Sequence, residues 1–143
     1  MKVFVSSTYD DLIEHRKAVR EAIQRLGYQP IGMEDFGSRP EEWNKAALNA
    51  MGGCGAFVGI YAHRYGSIPD GDTLSITEQE FDKARALGIP CFCYRVDPDY
   101  SWPPKFVEHP AKDKLDALLK KVDSLLRSKF TDPDDLAKKP RQI

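Results

Sequence analysis

Short apolar runs alternate along this chain with longer segments in which apolar residues recur every three or four positions. The short runs predict β-strands at Val3–Val5, Tyr28–Ile31, Ala56–Tyr61 and Pro90–Val96. The longer segments predict amphipathic helices at Asp10–Leu26, Ser38–Met51, Ser75–Leu87 and Lys112–Phe130. This alternation is typical of an α/β fold with a parallel sheet, right-handed crossovers and helices on both faces.

Polar residues at two of the predicted helix starts supply capping groups. Thr8 is a suitable N-cap for the first helix, and Asp11, three residues later, would complete a capping-box-like pair. Ser75 and Glu78 stand in the same relation at the third helix. Both pairs favour helices that begin directly after a polar turn.

The expected position of a ligand follows from the sheet. In open parallel sheets, ligands bind beyond the carboxyl ends of the strands, where the strand order reverses. This rule places four segments on one edge, namely Ser6–Thr8, Gly32–Gly37, Tyr61–Gly66 and Thr77–Glu80. These segments contain the candidate binding and catalytic residues.

Several polar residues at this edge suit a nucleotide. Ser6, Ser7 and Thr8 offer hydroxyls and helix N-terminal amides, which can hold a phosphate or another anion. The turn lacks the glycines of a P-loop, and helix capping alone explains it equally well. After the third strand, Arg64 is suited to hold a phosphate and Tyr65 to stack on a base. The alternative is a solvated loop anchored by its aromatic residues.

Glu80 is the candidate catalytic residue. It lies one turn into the third predicted helix, near the ligand edge, where a carboxylate can stabilise an oxocarbenium-like transition state or attack the anomeric carbon of a ribose. Glu78 is two positions earlier, so the two carboxylates point about 200° apart around the helix. They do not form a paired acid and base. The alternative is that both are helix-start acids favoured by the dipole.

Composition and charge exclude several classes of function. The chain has 143 residues, of which 41% are hydrophobic and 30% charged, and its formal net charge is −1. This balance argues against a nucleic-acid partner bound by general electrostatics. No apolar run is long enough to span a bilayer, and no signal peptide precedes the first strand. We therefore predict a cytoplasmic protein without a membrane partner.

The cysteines and histidines predict no metal site. Cys54, Cys91 and Cys93 lie in apolar contexts and are expected to be buried free thiols, and the three histidines are too scattered to provide ligands. The predicted elements form one domain over residues 1–130. Residues 131–143 are interpreted as a C-terminal tail, or as the start of a linker to a further region of a longer protein.

Two blocks of the sequence carry a family resemblance. The first block comprises Val3–Leu12, Glu14, Arg16 and Leu26-Gly27. The second comprises Tyr65–Ser67, Ser75–Phe81, Ala84 and Gly88–Pro90. In this order and spacing, the blocks resemble a TIR-like domain-of-unknown-function family, which is found at the N-terminus of STAND NTPases and related defence or signalling proteins.

The resemblance implies a flavodoxin-like (TIR-like) parallel sheet of four to five strands in the order 2-1-3-4(-5). It also implies kinship with TIR domains, some of which cleave NAD, and with nucleoside deoxyribosyltransferases. In those relatives a helix glutamate lies four residues before a small residue and acts on C1′ of the ribose. Glu80 and Ala84 match this spacing, which favours Glu80 over Glu78 as the catalytic residue.

The first functional hypothesis is a signalling or antiviral-defence domain that binds a nucleotide and hydrolyses the N-glycosidic bond of NAD or a related dinucleotide. Glu80 would stabilise the ribosyl cation, while Ser6–Thr8 and Arg64 would hold the phosphates. Tyr65 or Phe36 would pack against the base. No metal or cofactor is required. Activity would need homo-oligomerisation, driven by a fused NTPase or sensor region.

Two further hypotheses stay open. The domain is either a non-enzymatic module for self-association or partner recruitment, or a nucleotide sensor without turnover. The full set of polar residues at the sheet edge favours an enzyme or a sensor. The run Ile76-Thr77-Glu78 ahead of Glu80 differs from the bulky pair of TIR enzymes and favours the interaction module.

Overall fold

The structure, a computed structural model, describes the backbone of residues 1–36 and 40–143 and the side chains of 1–36, 44–141 and 143. The strands are β1 (Lys2–Ser6), β2 (Gln29–Ile31), β3 (Ala56–Tyr61), β4 (Cys91–Val96) and β5 (Leu126–Phe130). The α-helices are α1 (Ile13–Arg25), α2 (Pro40–Met51), α3 (Ile76–Leu87), α4 (Lys112–Asp123) and α5 (Pro133–Ala137). The predicted start of the second helix at Ser38 lies outside the described residues.

The five strands form one sheet in the order β2-β1-β3-β4-β5. Every neighbouring pair is parallel, which confirms the predicted parallel α/β fold and its flavodoxin-like strand order. The order reverses between β1 and β3, because β1 is followed by β2 on one side while β3 lies on the other. The central strand β3 is buried along its whole length, as expected for a strand covered on both faces.

Helices cover both faces of the sheet, and each face has its own core. On one face α1 and α5 pack against a cluster of mainly aliphatic strand residues, which includes Val3, Val5, Val58, Ile60, Phe92, Tyr94 and Val96. On the other face α2, α3 and α4 pack against a more aromatic cluster, which includes Phe4, Phe57, Tyr61, Phe81 and Cys93. The two clusters follow from the alternation of side chains along each strand.

The last predicted helix is wrong in its second half. We expected one helix over Lys112–Phe130, but α4 ends at Asp123 and Leu126–Phe130 forms β5 beside β4. Leucine spacing continues through the turn, so the helical pattern hides the boundary. Exposed and less exposed residues alternate within β5, which is the pattern of a strand at the edge of a sheet.

The cap predicted for the first helix is also wrong, whereas the cap of the third is confirmed. A turn closed by Leu12 N–H and the Tyr9 carbonyl (2.9 Å) precedes α1. This turn moves the helix start to Ile13, so Thr8 lies too far upstream to cap it. At α3, the Ser75 hydroxyl accepts from the Glu78 amide at 3.2 Å, which confirms the N-cap. The reciprocal half of the predicted capping box is not formed, because the Ser75 amide donates to the Tyr65 hydroxyl instead of to Glu78.

The segment after β5 folds back onto α1. The Asp132 carboxylate accepts a hydrogen bond from the Asp135 amide (2.7 Å) at the start of α5, as in a standard N-cap. Leu136 is fully buried in the aliphatic cluster, and the side chain of Ile143 packs against the same cluster. Residues after Phe130 therefore complete one face of the core.

The helices and cysteines bear on two further expectations. Within the described ranges, no helix combines the length and apolar character needed to cross a membrane. The thiols of Cys54, Cys91 and Cys93 are free, as predicted. Cys54 and Cys93 are buried, while Cys91 is half-buried.

Candidate active site

The candidate site lies at the carboxyl ends of β1 and β3, where the strand order reverses. Ser6 is paired with Gly59 in the register of these strands. Successive side chains of a strand point to opposite faces, so Ser6 and Ser7 diverge at the end of β1. Ser6 contacts α3 through Glu80, and Ser7 contacts α1 through Arg16. The end of β1 therefore connects the two halves of the site.

Glu80 lies in the interior at this point. Glu80 is 1% exposed, and the Ser6 hydroxyl donates a hydrogen bond to Glu80 Oε1 at 2.7 Å. Thr77, Phe81 and Ala84 are buried on the same side of α3, so helical spacing turns Glu80 toward the sheet. Burial raises the pKa of Glu80 to about 7, against the opposing effects of the Ser6 hydrogen bond and the Arg16 charge.

Tyr61 extends the polar surroundings of Glu80 from β3. Its ring folds back over Gly59, where any side chain would collide with the Tyr61 hydroxyl. That hydroxyl is buried and forms no hydrogen bond with the described residues. Burial raises the pKa of Tyr61 well above its usual value, and Cys93 and Glu80 raise it further. Tyr61 therefore stays neutral at physiological pH.

Replacing Glu80 by Gln is expected to stabilise the protein at pH 8 and to change little at pH 5. The folded-state pKa is about 7 against a usual value of 4.5. Below pH 4.5 the group is protonated in both states. Between pH 4.5 and 7 it ionises in the unfolded chain but stays protonated in the fold, so stability falls as pH rises toward the folded pKa and levels off above it. The penalty at pH 8 is about 3 kcal/mol. Urea unfolding of wild type and Glu80→Gln at both pH values measures it.

The matched control for this measurement is Asp82→Asn on the same helix. The Asp82 side chain is 42% exposed, so its stability difference from wild type should stay within about 0.5 kcal/mol at both pH values. A Glu80→Gln difference that is the same at pH 5 and pH 8 would contradict the raised pKa.

Arg16 organises the other side of the site. It is fully buried, and its guanidinium binds both carboxylate oxygens of Glu34, at 2.8 and 2.7 Å. It also donates to the Ser7 hydroxyl at 3.0 Å and to the Val5 carbonyl at 3.2 Å. Burial alone would raise the pKa of Glu34, but the hydrogen bonds and charge of Arg16 together lower it. The arginine thus joins α1, β1 and the loop after β2.

Glu78 belongs to a separate buried network that ties α3 to α4. Its carboxylate accepts from the Tyr65 hydroxyl and from the Lys121 ammonium, both at 2.6 Å. The Tyr65 hydroxyl accepts in turn from the Ser75 amide at 3.1 Å. Tyr65 is fully buried, so neither ring face is open to a base. The predicted stacking role of Tyr65 does not fit this structure.

The predicted binding residues on the turn after β1 differ in whether their hydroxyl groups are available to a ligand. The Ser6 and Ser7 hydroxyls are already engaged with Glu80 and Arg16. Thr8 is 7% exposed and packs against Gly66, where a Cβ atom would lie 3.0 Å from the Thr8 methyl group. The turn is therefore tightly packed, with hydroxyls that position Glu80 and Arg16.

Arg64 and Phe36 are the more open of the predicted binding residues. The Arg64 side chain is 30% exposed, and its Nη1 lies 3.8 Å from Oδ1 of the buried Asp11. Phe36 is half-buried and packs against the aromatic cluster under α2 and α3. The structure brings Ser6 and Glu80 together, and it places Arg64 beside Asp11 on the α1 side.

Three residues of the site were missed in the sequence. Arg16 could have been recognised as a charged residue within the apolar stripe of α1, four positions after Leu12 and three before Val19. Tyr61 lies two residues after Gly59 in an otherwise apolar strand, so both are on the same face of the sheet. A glycine at that position leaves room for the tyrosine ring. Asp11 was assigned only a capping role. Among the described side chains, no group of His, Cys, Asp and Glu is arranged to hold a metal ion.

Two solved structures of other proteins resemble the structure of this chain. One solved structure, a CMP N-glycosidase of Clostridium botulinum called BcmB, is 13% identical with a TM-score of 0.59, covering 97% of this chain and 96% of that one. At this identity the likeness shows the fold alone. A short-chain flavodoxin associated with a bacterial microcompartment is also 13% identical, with a TM-score of 0.49 and coverage of 96% and 90%.

Two further comparisons concern the sequence itself. A search of curated proteins found no match. A family model described as domain of unknown function DUF4062 matches residues 2–142. This match covers almost the whole chain, including the segment after β5. The chain therefore belongs to the DUF4062 family.

Proposed function

We propose that this domain binds a nucleotide and hydrolyses its N-glycosidic bond. The observation that carries the proposal is the buried Glu80 carboxyl group, held by Ser6 at the carboxyl edge of the sheet where the strand order reverses. This crevice is the usual ligand position in such folds. The similar fold of a protein named as a CMP N-glycosidase supports an N-glycosidic bond as the target.

The reaction requires a carboxylate near the anomeric carbon. When the bond between C1′ and the base nitrogen breaks, the base leaves with the electron pair and C1′ becomes positively charged. The Glu80 carboxylate would stabilise that charge or bond to C1′ transiently, and water then adds to C1′. The proton that this water loses goes to the cytosine anion released from CMP, or to solvent when neutral nicotinamide leaves NAD. With a pKa of about 7, a large fraction of Glu80 is ionised at neutral pH. A preorganised charge in a dry site acts strongly on such a transition state.

A more specific part of the proposal concerns the substrate and the protein in which the domain acts. We propose NAD or a related dinucleotide as one substrate class, with Arg64 near the phosphates and Phe36 near the base. We also propose that self-association activates the domain within a longer STAND-type defence or signalling protein. Tyr9 and Ile13, both 43% exposed, flank the turn after β1 and supply apolar surface for such an interface.

Incubation of the concentrated protein with CMP and with NAD tests the proposal. We expect free cytosine or free nicotinamide by chromatography, with a rate per protein molecule that rises with protein concentration if self-association is needed. The absence of any released base across the concentration range, from folded protein, would contradict the glycosidase assignment.

The same experiment separates the enzyme from a nucleotide sensor. An enzyme requires the Glu80 carboxylate to reach the substrate, whereas a sensor requires only that a nucleotide bind near the buried Ser6–Glu80 pair. Nucleotide binding without released base, measured by calorimetry on the same samples, would support the sensor. Self-association without nucleotide binding would support the interaction module.

A further inference from the structure

Asp11 is a buried carboxylate that lacks hydrogen bonds. Its side chain is 0% exposed, and neither carboxylate oxygen has a hydrogen-bond partner among the described residues. Burial raises the pKa of Asp11, while the side-chain hydroxyl of Thr8, the backbone amide of Asp11 itself and the charge of Arg64 lower it. Buried polar atoms in folded proteins are nearly always paired, and an unpaired buried charge is costly. The fold therefore buries a carboxylate that lies 3.8 Å from the Arg64 guanidinium but whose two oxygens accept no hydrogen bond from the described residues.

The surroundings of Asp11 are polar and contain a second unpaired group. The indole N–H of Trp102 is buried and has no acceptor among the described residues. The rings of His15 and His63 lie 5.5 and 5.8 Å from the Trp102 ring, and the charge of Asp11 acts on both histidines. Trp102 thus lies close to both imidazoles, and the charge of Asp11 acts on both of them.

The position of this cluster links it to the proposed site. Asp11 follows the Ser6–Thr8 turn, just before α1 begins at Ile13. Glu80 reaches the same turn from the α3 side, through Ser6. The Ser6–Thr8 turn therefore lies between Glu80 on the α3 side and Asp11 on the α1 side. The Arg64 side chain beside Asp11 is 30% exposed, and ligand access to the carboxylate would require Arg64 to rotate into solvent.

We propose that Asp11 is a ligand-binding residue that accepts hydrogen bonds from the adjacent 2′- and 3′-hydroxyls of a ribose. This inference rests on the proposed function, because it names the substrate class of that site as ribonucleotides rather than 2′-deoxyribonucleotides. A carboxylate with both oxygens free accepts two neighbouring hydroxyl donors side by side. A site with a buried group aimed at a substrate hydroxyl rejects the analogue that lacks it, because the buried group is then left unpaired.

Binding of two sugar phosphates tests this inference without any glycosidic bond. D-ribose 5-phosphate and 2-deoxy-D-ribose 5-phosphate are titrated by calorimetry into the whole chain. We expect wild type to bind the ribose compound about 10 to 100 times more tightly, the range for a hydrogen bond to a charged group. In Asp11→Ala the ratio should fall to about one. Asp10→Ala removes an exposed neighbouring carboxylate and should keep the wild-type ratio.

A second measurement uses only wild type, so it does not depend on the folding of a variant. The imidazole proton resonances of His15 and His63, whose pKa values respond to the charge of Asp11, should shift on saturation with ribose 5-phosphate. Equal affinity of wild type for the two sugars, a preserved ratio in folded Asp11→Ala, or unmoved histidine resonances would each overturn the inference. Discrimination between the sugars without release of base from CMP or NAD would uphold Asp11 and overturn only the glycosidase.

Discussion

Glu80→Gln is expected to lower the rate of base release by about 10³-fold or more, with little change in substrate binding. Gln keeps the shape of the side chain and can still accept the Ser6 hydrogen bond seen at 2.7 Å. It carries no negative charge, so it stabilises a positive C1′ poorly and cannot bond to it. The loss should therefore appear in kcat rather than in KM. Single-turnover release of cytosine from CMP or nicotinamide from NAD measures it.

Glu78→Gln is the discriminating control for this result. Glu78 lies two positions away on α3 and is almost as buried, but it faces Tyr65 and Lys121. Its replacement should lower stability and leave kcat of the folded protein within a few-fold of wild type. Comparable losses of kcat in the two variants would show that the effect comes from disturbed packing of α3, and would contradict a catalytic role for Glu80.

The pH dependence of kcat/KM is a second test of the catalytic role of Glu80. A catalytic carboxylate must be ionised, and Glu80 has a pKa of about 7. The kcat/KM of wild type should therefore rise with pH from 6 to 8 and level off above that range. A rate that falls over this interval would indicate that the protonated form acts, as a general acid.

Arg16→Met is expected to lower the free energy of unfolding by about 3 to 5 kcal/mol. The guanidinium is fully buried and donates to Glu34, Ser7 and the Val5 carbonyl. A methionine fills similar space but leaves these acceptors without their donor, and unpaired buried acceptors are costly. Urea unfolding at pH 7 measures the loss. Arg16→Lys should recover only part of it, because an ammonium cannot bind both Glu34 oxygens in the same planar geometry.

Arg20→Met is the matched control, because Arg20 contacts the same carboxylate from the surface. Its Nη1 lies 3.3 Å from Glu34 Oε1, and its side chain is 18% exposed. We expect a loss of about 1 kcal/mol or less, as for other pairs near solvent. The double variant Arg16→Met/Glu34→Met should be less destabilised than the sum of its single variants. Equal effects of Arg16→Met and Arg20→Met would contradict the structural role assigned to Arg16.

Local patterns in the sequence predicted most of the fold. The bounds of β3 and the cap of α3 at Ser75 follow from short apolar runs and from hydroxyl groups at the turn. The end of α4 was not predicted, because leucine spacing continues across it. The strand β5 forms because Leu126–Phe130 can pair with the free edge of β4, and that edge exists only in the assembled sheet.

The candidate site was predicted only in part, because some of its features are local and others depend on the assembled fold. Helix geometry alone separates Glu78 from Glu80, and the structure directs them to different neighbours. The burial of Tyr65 and the bonds of Arg16 are long-range features. They bring together residues from separate elements, and no local spacing encodes these contacts.

The sequence by itself determined the alternation of strands and helices, the parallel sheet and the edge at which its polar turns collect, because periodicity and connection rules act locally along the chain. Only the tertiary structure decided that Glu80 is enclosed with Ser6, that Tyr65 is closed to a base, and that Asp11 is buried beside Arg64 without a hydrogen bond to its carboxylate oxygens. Burial and hydrogen-bond pairing depend on which distant segments meet, and those properties set the pKa and the binding capacity of each group.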